Sequence, residues 1–286
     1  MKRVVVGAKL GGLPLDRALA ALTGDADAAG TIGSGRVFVD GLRVIDPGSR
    51  ARPGQKLVVH ARAPAAPAAP QIIYEDEAII ALDKRPGEHL NETETSVEWA
   101  LVELLRARFA DVHVVHRLDR ETSGVVVLAK DHAAAVELSE AFQRRVVDKT
   151  YLAIVEARAL PPVVDAPIGL DPRRPRARRV AADGEPAQTA LVGGAPAFGL
   201  QLVRALPRTG RTHQIRVHLA SVGAPIVGDR TYGGLMAARV GDAIVRPTRT
   251  LLHALRLALP GRPPLERPLH ADFAPFLAAG LTPPSA

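Results

Sequence analysis

Residues 116–124 read His116-Arg117-Leu118-Asp119-Arg120-Glu121-Thr122-Ser123-Gly124, and a strand-like run, Val125-Val126-Val127-Leu128-Ala129-Lys130, follows directly. One carboxylate, Asp119, stands between two arginines just ahead of a turn glycine. Cations on both sides favour the ionised form of a carboxylate, and an ionised carboxylate can act as a nucleophile or a general base. The alternative is a surface ion network at the start of a strand, since ion pairs without a chemical role are common.

The composition indicates a globular protein, and its positive net charge favours a nucleic-acid partner. The chain has 286 residues, 47% of them hydrophobic, which suits one large domain or a large domain plus a small one. Its 37 Lys and Arg against 30 Asp and Glu give a net charge of +7, which a nucleic-acid partner would favour. Residues 1–65 hold ten of these basic residues against five acidic ones, and five arginines crowd into positions 173–179.

Some classes of protein are excluded by what the sequence lacks. It has no cysteine, so it forms no disulfide and no thiolate metal site. The start, MKRVVVGAKLGG, is too short an apolar run for a signal peptide, and no run of about 18 apolar residues predicts a membrane span. We therefore expect a cytoplasmic protein with no membrane partner.

A proline-rich connector at residues 61–70 marks the clearest boundary, because such a segment is semi-extended and forms neither a ladder nor a long helix. We predict an N-terminal unit at 1–62, a linker at 63–70, a main domain at 71–279 and a flexible tail at 280–286. Elements are predicted from periodicity and turn residues. In the N-terminal unit they are strands at 3–6, 36–39 and 56–60 and a helix at 15–22. In the main domain they are strands at 71–74 and 78–82, helices at 96–109 and 133–142, and short strands after Thr150.

Two further motifs carry chemistry-bearing side chains. The segment 147–155 places Lys149 and Tyr151 on one strand, and it holds one of only three tyrosines; Tyr74 and Tyr232 have no comparable basic company in sequence. The segment 209–218, TGRTHQIRVH, reads as a strand. On a strand His213 and His218 point to opposite faces, so one metal ion could not take both, and we expect no metal site.

These three motifs resemble the signatures of the ribosomal large-subunit (RluA-like) family of pseudouridine synthases. Shorter matches in the family's order extend the resemblance from Gln71 to about Leu277, among them Pro167-Ile168-Gly169 and the stretch from Gly223 to Asp229. The resemblance implies an α+β fold with a mixed, mostly antiparallel sheet flanked by helices. It also implies that uridines in RNA are isomerised to pseudouridine without cofactor or metal.

The resemblance also assigns roles to residues. Asp119 would be the catalytic carboxylate, Tyr151 would stack on the target uracil, and Arg216 would pair with Asp119. Arg117 is the candidate wedge that fills the gap left by a flipped base. The other expected substrate-binding residues are Arg120, Lys149, Arg211, His213 and Gln214.

The N-terminal phrase GRVFVDG…RPGQKLVV resembles the second half of an S4 RNA-binding domain. Its helical half departs from that pattern, because residues 23–30 are acidic and contain glycine where a basic second helix is expected. A small β-rich scaffold is the alternative. An S4-like module favours large-subunit ribosomal RNA as the target, with transfer RNA as the alternative, and we expect a monomer.

Two competing functions use the same residues. A catalytically silent RNA-binding or chaperone protein would not need the intact motifs. A hydrolytic N-glycosidase would share the first bond cleavage, but no second carboxylate stands at a recognisable water-activating spacing.

Overall fold

The structure, a computed structural model, describes residues 1–284 and divides into two compact units. The first contains Met1–Pro70 and His89–Ala110, and the second contains Gln71–Glu88 and the chain from Asp111 onward. The segment 89–110 was predicted to belong to the main domain, yet its contacts place it in the first unit. None of the helices between residues 1 and 284 has the length and apolar character that a membrane-spanning helix needs.

The first unit is a four-stranded antiparallel sheet, in the order β1-β4-β2-β3, with short helices. Its elements are β1 (Lys2–Val5), α1 (Leu15–Thr23), α2 (Ala28–Gly33), β2 (Val37–Val39), β3 (Leu42–Val44), β4 (Lys56–Val59) and α3 (Leu101–Arg106). Helix α1 buries Leu15, Ala18 and Leu19, the spacing of one helix face, and ends at Gly24 in the left-handed region. Helix α2 was not expected; its N-cap is Asp27, whose side chain accepts the Gly30 N–H.

Helix α3 is shorter than the predicted 96–109, and Arg43 explains where it begins. The buried Arg43 guanidinium bonds Glu103 at 2.8 Å and donates to the carbonyls of Val97 and Glu98 at 2.8 and 3.0 Å. It also lies 4.3 Å from the ring of Trp99. These carbonyls serve an arginine side chain instead of helical N–H groups, so the apolar spacing of residues 96–100 does not produce helix.

The second unit is built on a ten-stranded mixed sheet whose main path runs β10-β13-β14-β9-β17-β8-β6-β5, with β7 and β18 paired to β8 and β17. Every pairing is antiparallel except β17 with β8, so the expected mixed, mostly antiparallel sheet is confirmed. The strands of this sheet are β5 (Ile72–Glu75), β6 (Ile79–Lys84), β7 (His113–Val114), β8 (Ser123–Ala129), β9 (Asp148–Glu156), β10 (Val163–Asp165), β13 (Gln188–Gly193), β14 (Leu200–Pro207), β17 (Leu252–Ala258) and β18 (Leu265–Glu266).

In the described part of the second unit, four strands and three α-helices lie outside this sheet. They are the hairpin strands β11 (Ile168–Leu170), β12 (Arg178–Val180), β15 (Ala238–Val240) and β16 (Ala243–Val245), and the helices α4 (His132–Gln143), α5 (Gln214–Ser221) and α6 (Ala274–Ala278). Strand β8 is buried at all seven positions, as its valine-rich run suggests for a central strand. Helix α4 begins at the N-cap Asp131, which accepts the Ala134 N–H at 2.8 Å.

The segment 209–218 is not a strand, which corrects the prediction. A turn at 209–212 leads into helix α5, whose residues Gln214–Leu219 are all buried. Because burial is continuous, the apolar pattern does not distinguish a strand period from a helix period. The strand-based reason for separating His213 from His218 is therefore also wrong; His218 instead bonds Thr189 and the Ala166 carbonyl inside the unit.

The C-terminal residues are held more firmly than a flexible tail. Leu281 is 1% exposed and belongs to the main core, and the Pro284 carbonyl accepts a hydrogen bond from Arg204 at 2.6 Å. The tail expected at 280–286 is thus ordered over its first five residues, and Ser285 and Ala286 lie outside the described residues.

Candidate active site

The loop that carries Asp119 is fixed by the buried side chain of Lys84. This lysine is fully buried, and its Nζ donates to the carbonyls of Arg85, Arg120 and Thr122 at 3.1, 2.9 and 2.8 Å. Burial lowers the pKa of Lys84 to about 8. Three carbonyl acceptors are what an ammonium needs to compensate its lost hydration. The backbone that follows Asp119, at Arg120 and Thr122, is therefore held by one side chain.

The end of the signature is anchored to β17. At Gly124, φ is +108°, and a Cβ there would meet the Ala254 carbonyl oxygen at 2.2 Å, so only glycine fits. Glu121 accepts hydrogen bonds from the N–H and hydroxyl of Thr250. The buried Arg249 donates to the Glu121 carbonyl at 2.9 Å. Glu121 and Gly124 thus position the loop, and Glu121 also lies at the edge of the cleft described below.

Asp119 meets a buried arginine from helix α5. The Nη1 of Arg216 lies 3.1 Å from Oδ2 of Asp119, whose side chain is one-fifth exposed. The same guanidinium grips Asp229 through Nε at 2.7 Å and Nη2 at 3.0 Å. Burial disfavours the charged guanidinium, but the bonds to Asp229 and Asp119 outweigh it and raise the pKa of Arg216. Arg216 is a fixed cation aimed at Asp119.

Asp229 is fully buried and is itself fixed. Its Oδ1 accepts the backbone N–H groups of Thr231 and Tyr232 at 3.0 and 3.2 Å, in addition to the guanidinium of Arg216. The sequence motif included Asp229 only as part of a matching string. Nothing in its spacing from Arg216 indicated that the two would form a two-point ion pair.

Tyr151 and Lys149 lie two residues apart on β9, so their side chains project from the same face. Burial, together with the nearby negative charge of Asp119, raises the pKa of the Tyr151 phenol. Lys149 donates to the Thr209 carbonyl at 2.8 Å, and burial lowers its pKa to about 8. The aromatic ring is thus placed in the neighbourhood of the carboxylate.

His213 and Tyr232 form a second contact with the carboxylate. His213 precedes α5 in the left-handed region, with φ 60° and ψ 18°. Its Nδ1 is 2.8 Å from the Tyr232 hydroxyl, and its Nε2 is 3.8 Å from Oδ2 of Asp119. The Tyr232 ring lies 5.0 Å from the Arg216 guanidinium and 5.9 Å from that of Arg174. Tyr232 has no basic neighbours in sequence comparable to those of Tyr151, yet in the fold it contacts His213 and lies close to Arg174 and Arg216.

Asp119, His213 and Arg216 open onto a cleft of about 800 Å³, whereas Tyr151 and Tyr232 are not among the residues that line it. Its lining includes Asp119, His213 and six arginines: Arg117, Arg120, Arg174, Arg176, Arg216 and Arg230. Arg117 is exposed and makes no hydrogen bond or ion pair with any residue in the described part of the chain. Arg120 donates only to the Gly87 carbonyl. The cleft can accept a polyanion, because arginine charges on its walls outnumber the carboxylates.

Arg211 and Gln214, like Lys149, bond to other residues of the second unit and do not line the cleft. Gln214 is buried; its amide group donates to Gln188 and Thr189 and accepts from Thr209 and Arg211. The side chain of Arg211 bonds Glu185 at 2.5 Å and the Pro186 carbonyl at 3.2 Å. Gln214 therefore shapes the turn before α5, and neither residue is among those lining the cleft.

Sequence reasoning missed several residues of this site. Arg174, Arg176 and Arg230 line the cleft, and the first two belong to the arginine cluster noted only for its charge. Asp171 orients that cluster by accepting from the Arg173 N–H and from Nε of Arg174. Among residues 1–284, no three or more His, Asp or Glu side chains gather as a metal site would require.

The comparisons with known proteins agree on one family. A family model described as RNA pseudouridylate synthase matches residues 78–221. Ribosomal large subunit pseudouridine synthase D of Nitrosomonas europaea is 36% identical over 222 residues, which cover 73% of this chain and 64% of that protein. The dual-specificity RNA pseudouridine synthase RluA of Vibrio vulnificus is 37% identical over 201 residues, covering 66% and 76%.

A solved structure adds the fold. The structure of human RNA pseudouridylate synthase domain containing 1 has a TM-score of 0.57 and 28% identity, and the match covers 78% of this chain and all of that one. The chain spans slightly under two thirds of the Nitrosomonas relative and about three quarters of the Vibrio one. On sequence and fold together, this chain belongs to the RluA-like group of the RNA pseudouridine synthase family, whose enzymes are isomerases.

Proposed function

We propose that this protein converts uridine to pseudouridine in structured RNA, with Asp119 as the catalytic carboxylate. The observation that carries the proposal is the carboxylate of Asp119 at the wall of an arginine-rich cleft, held on Oδ2 by Arg216. Within the described residues, Oδ1 of Asp119 accepts no hydrogen bond, so one oxygen is free to react.

The reaction needs little more than this. Uridine is isomerised by breaking the N-glycosidic bond, turning the uracil and rejoining it through carbon 5, so no atoms are gained or lost and no electrons are exchanged. Asp119 can serve as a nucleophile on the ribose or the base, or as a base that removes a ribose proton. We therefore propose that no cofactor or metal takes part.

The remaining residues of the site would bind the flipped base and the RNA backbone. Tyr151 presents a ring for stacking, which contributes about 1–3 kcal/mol for an unstacked base. Arg117, exposed at the cleft and without a protein partner among residues 1–284, is suited to fill the place of the flipped base. Arg120, Lys149 and His213 would contact the RNA, whereas Arg211 and Gln214 would shape the turn that carries His213.

We propose large-subunit ribosomal RNA as the target, because a relative of 36% identity is named for the ribosomal large subunit and the sequence of the first unit resembles part of an S4 domain. Transfer RNA stays the alternative target, and another relative is named a dual-specificity RNA pseudouridine synthase. A cytoplasmic location and a monomeric state stay predictions.

The test is Asp119→Asn, which keeps the shape of the side chain but cannot act as nucleophile or base. RNA from a strain lacking the gene is incubated with the purified full chain, and pseudouridine is measured by mass spectrometry together with free uracil. We expect the variant to bind RNA normally and form no pseudouridine, while Asp183→Asn, which removes an exposed carboxylate outside the cleft, keeps full activity. Released uracil would instead identify a glycosidase, and turnover by Asp119→Asn within tenfold of the wild type would refute the role of Asp119.

A further inference from the structure

The imidazole of His213 bridges a phenol and the catalytic carboxylate. Nδ1 faces the Tyr232 hydroxyl at 2.8 Å, and Nε2 faces Oδ2 of Asp119 at 3.8 Å. The two rings meet edge to face with centroids 5.7 Å apart. His213 lines the cleft, and its side chain is about one-fifth exposed. What this residue can do depends on which nitrogen carries the proton.

The position of the proton follows from the bonds of Tyr232. Its hydroxyl oxygen accepts the backbone N–H of Arg178 at 2.9 Å. A phenol has one O–H to donate, and among the described residues the remaining partner of this hydroxyl is Nδ1 of His213. Tyr232 therefore donates to Nδ1. A neutral imidazole that accepts at Nδ1 must carry its proton at Nε2, the nitrogen that faces Asp119.

The charge state is set by the groups around the ring. Burial favours the neutral imidazole, as do the cations Arg216 and Arg178, whereas Asp119 and Asp229 favour the protonated form; the net effect lowers the pKa of His213. The O–H of Tyr232 acts in the same direction, because a donor to Nδ1 bonds only the unprotonated nitrogen. These groups together favour an uncharged ring with its proton on Nε2.

We propose that His213 is a positioning residue whose Nε2–H, fixed by Tyr232, is the second donor to Oδ2 of Asp119. Arg216 is already the first donor to that oxygen at 3.1 Å. With both donors on Oδ2, the carboxylate cannot rotate, and Oδ1 is presented to the ribose or base. The gap of 3.8 Å closes to hydrogen-bond length when RNA fills the cleft, as catalytic contacts commonly tighten on substrate binding. This inference rests on the proposed function of Asp119.

The tautomer can be read without any activity assay. The full chain is labelled with ¹⁵N-histidine, and the resonances of His213 are assigned by their loss in His213→Asn, since asparagine tolerates the left-handed backbone. We expect an unprotonated Nδ1 and a protonated Nε2 at neutral pH. In Tyr232→Phe we expect mixed tautomers and a higher pKa of His213. A proton on Nδ1 in the wild type, or a charged ring at neutral pH, would overturn the proposal whatever the enzyme's activity.

Kinetics then test the positioning role. In Tyr232→Phe the single-turnover rate should fall at pH values at which the imidazole is neutral, because its proton can then lie on Nδ1 instead of Nε2. It should approach the wild-type rate at lower pH, where a protonated imidazole carries a proton on both nitrogens. A merely structural defect would lower kcat equally at every pH.

A matched pair of variants at His213 isolates the donor. Gln places an N–H near the position of Nε2 and Ala does not, while both have the same strain in the left-handed region. We expect His213→Gln to react about tenfold faster than His213→Ala at saturating RNA, the effect of one hydrogen bond. Equal rates of the two variants, or a rate loss of Tyr232→Phe that is the same at every pH, would show that Nε2 does not hold Asp119.

Discussion

Replacing Asp229 by asparagine should damage catalysis without touching the catalytic carboxylate. Asp229 is fully buried and holds Arg216 at two points, 2.7 and 3.0 Å. Its Oδ1 also accepts two backbone N–H groups, so the amide oxygen of asparagine should take that place. The amide NH₂ then faces Nε of Arg216, donor against donor, and the guanidinium is no longer aimed at Asp119.

The structure sets the expected size of both effects. Removing one partner of a buried ion pair costs about 3–5 kcal/mol of stability. At about 2–4 °C per kcal/mol for a chain of this size, Tm should fall by roughly 6–20 °C. Losing the charge-assisted hydrogen bond from Arg216 to Asp119 costs about 1.5–3 kcal/mol. At about 1.4 kcal/mol per factor of ten, the rate at saturating RNA should fall roughly 10- to 150-fold.

The assay is single-turnover pseudouridine formation, well below the lowered Tm, beside thermal unfolding. Asp76→Asn is the matched control: Asp76 bonds Arg262 at 3.0 Å and caps the turn between β5 and β6, and it does not line the cleft. The control should lose stability and keep its rate. A rate of Asp229→Asn within threefold of the wild type would refute the argument that Asp229 acts through Arg216, and so would an equal loss of rate in the control.

Three further predictions concern other parts of the molecule. Tyr151→Ala should lose roughly 10- to 100-fold in rate, the value of stacking on one base, while Tyr151→Phe keeps most of it; equal rates of the two variants would contradict stacking. Since Lys149 is charged only below a pKa of about 8, RNA affinity should fall as pH rises through 8, and Lys149→Arg should abolish that fall in a binding titration. In the first unit, Arg43→Met leaves Glu103 buried without its cation, so unfolding followed by Trp99 emission should show a loss of about 3–5 kcal/mol. An unchanged unfolding midpoint would contradict that ion pair's importance.

The sequence predicted best where local chemistry decides the structure. The helix predicted at 133–142 is α4 (His132–Gln143), and the strand-like run of valines after Gly124 is in β8 (Ser123–Ala129). Helix α5 was misread as a strand because its residues Gln214–Leu219 are buried on every side, which removes the contrast between faces on which periodicity depends. The error concerned the element and not the choice of Arg216 as a residue facing Asp119.

The sequence did not predict contacts between residues that are far apart in the chain. Nothing local tells that Arg43 meets Glu103, sixty positions later, or that residues 89–110 leave the sheet of the second unit to join the first. In the same way Tyr232 looked isolated, although its hydroxyl and ring contact His213 and Arg216. Each of these contacts depends on the fold as a whole, because it joins elements that are separate in sequence.

Most residues of the nine-residue signature hold the loop in place, which explains why the signature is so long for a reaction that uses one carboxylate. Glu121, Ser123 and Gly124 bind β17 and the buried Arg249, and the carbonyls of Arg120 and Thr122 bind Lys84. These contacts occupy the backbone and the inward-facing side chains, so the loop cannot relax when RNA enters. The signature residues that line the cleft are Arg117, Asp119, Arg120 and Glu121, and the Glu121 carboxylate is engaged by Thr250. A carboxylate that must meet one atom of a flipped nucleotide needs a rigid support more than it needs additional reactive groups, and most of the motif supplies that support.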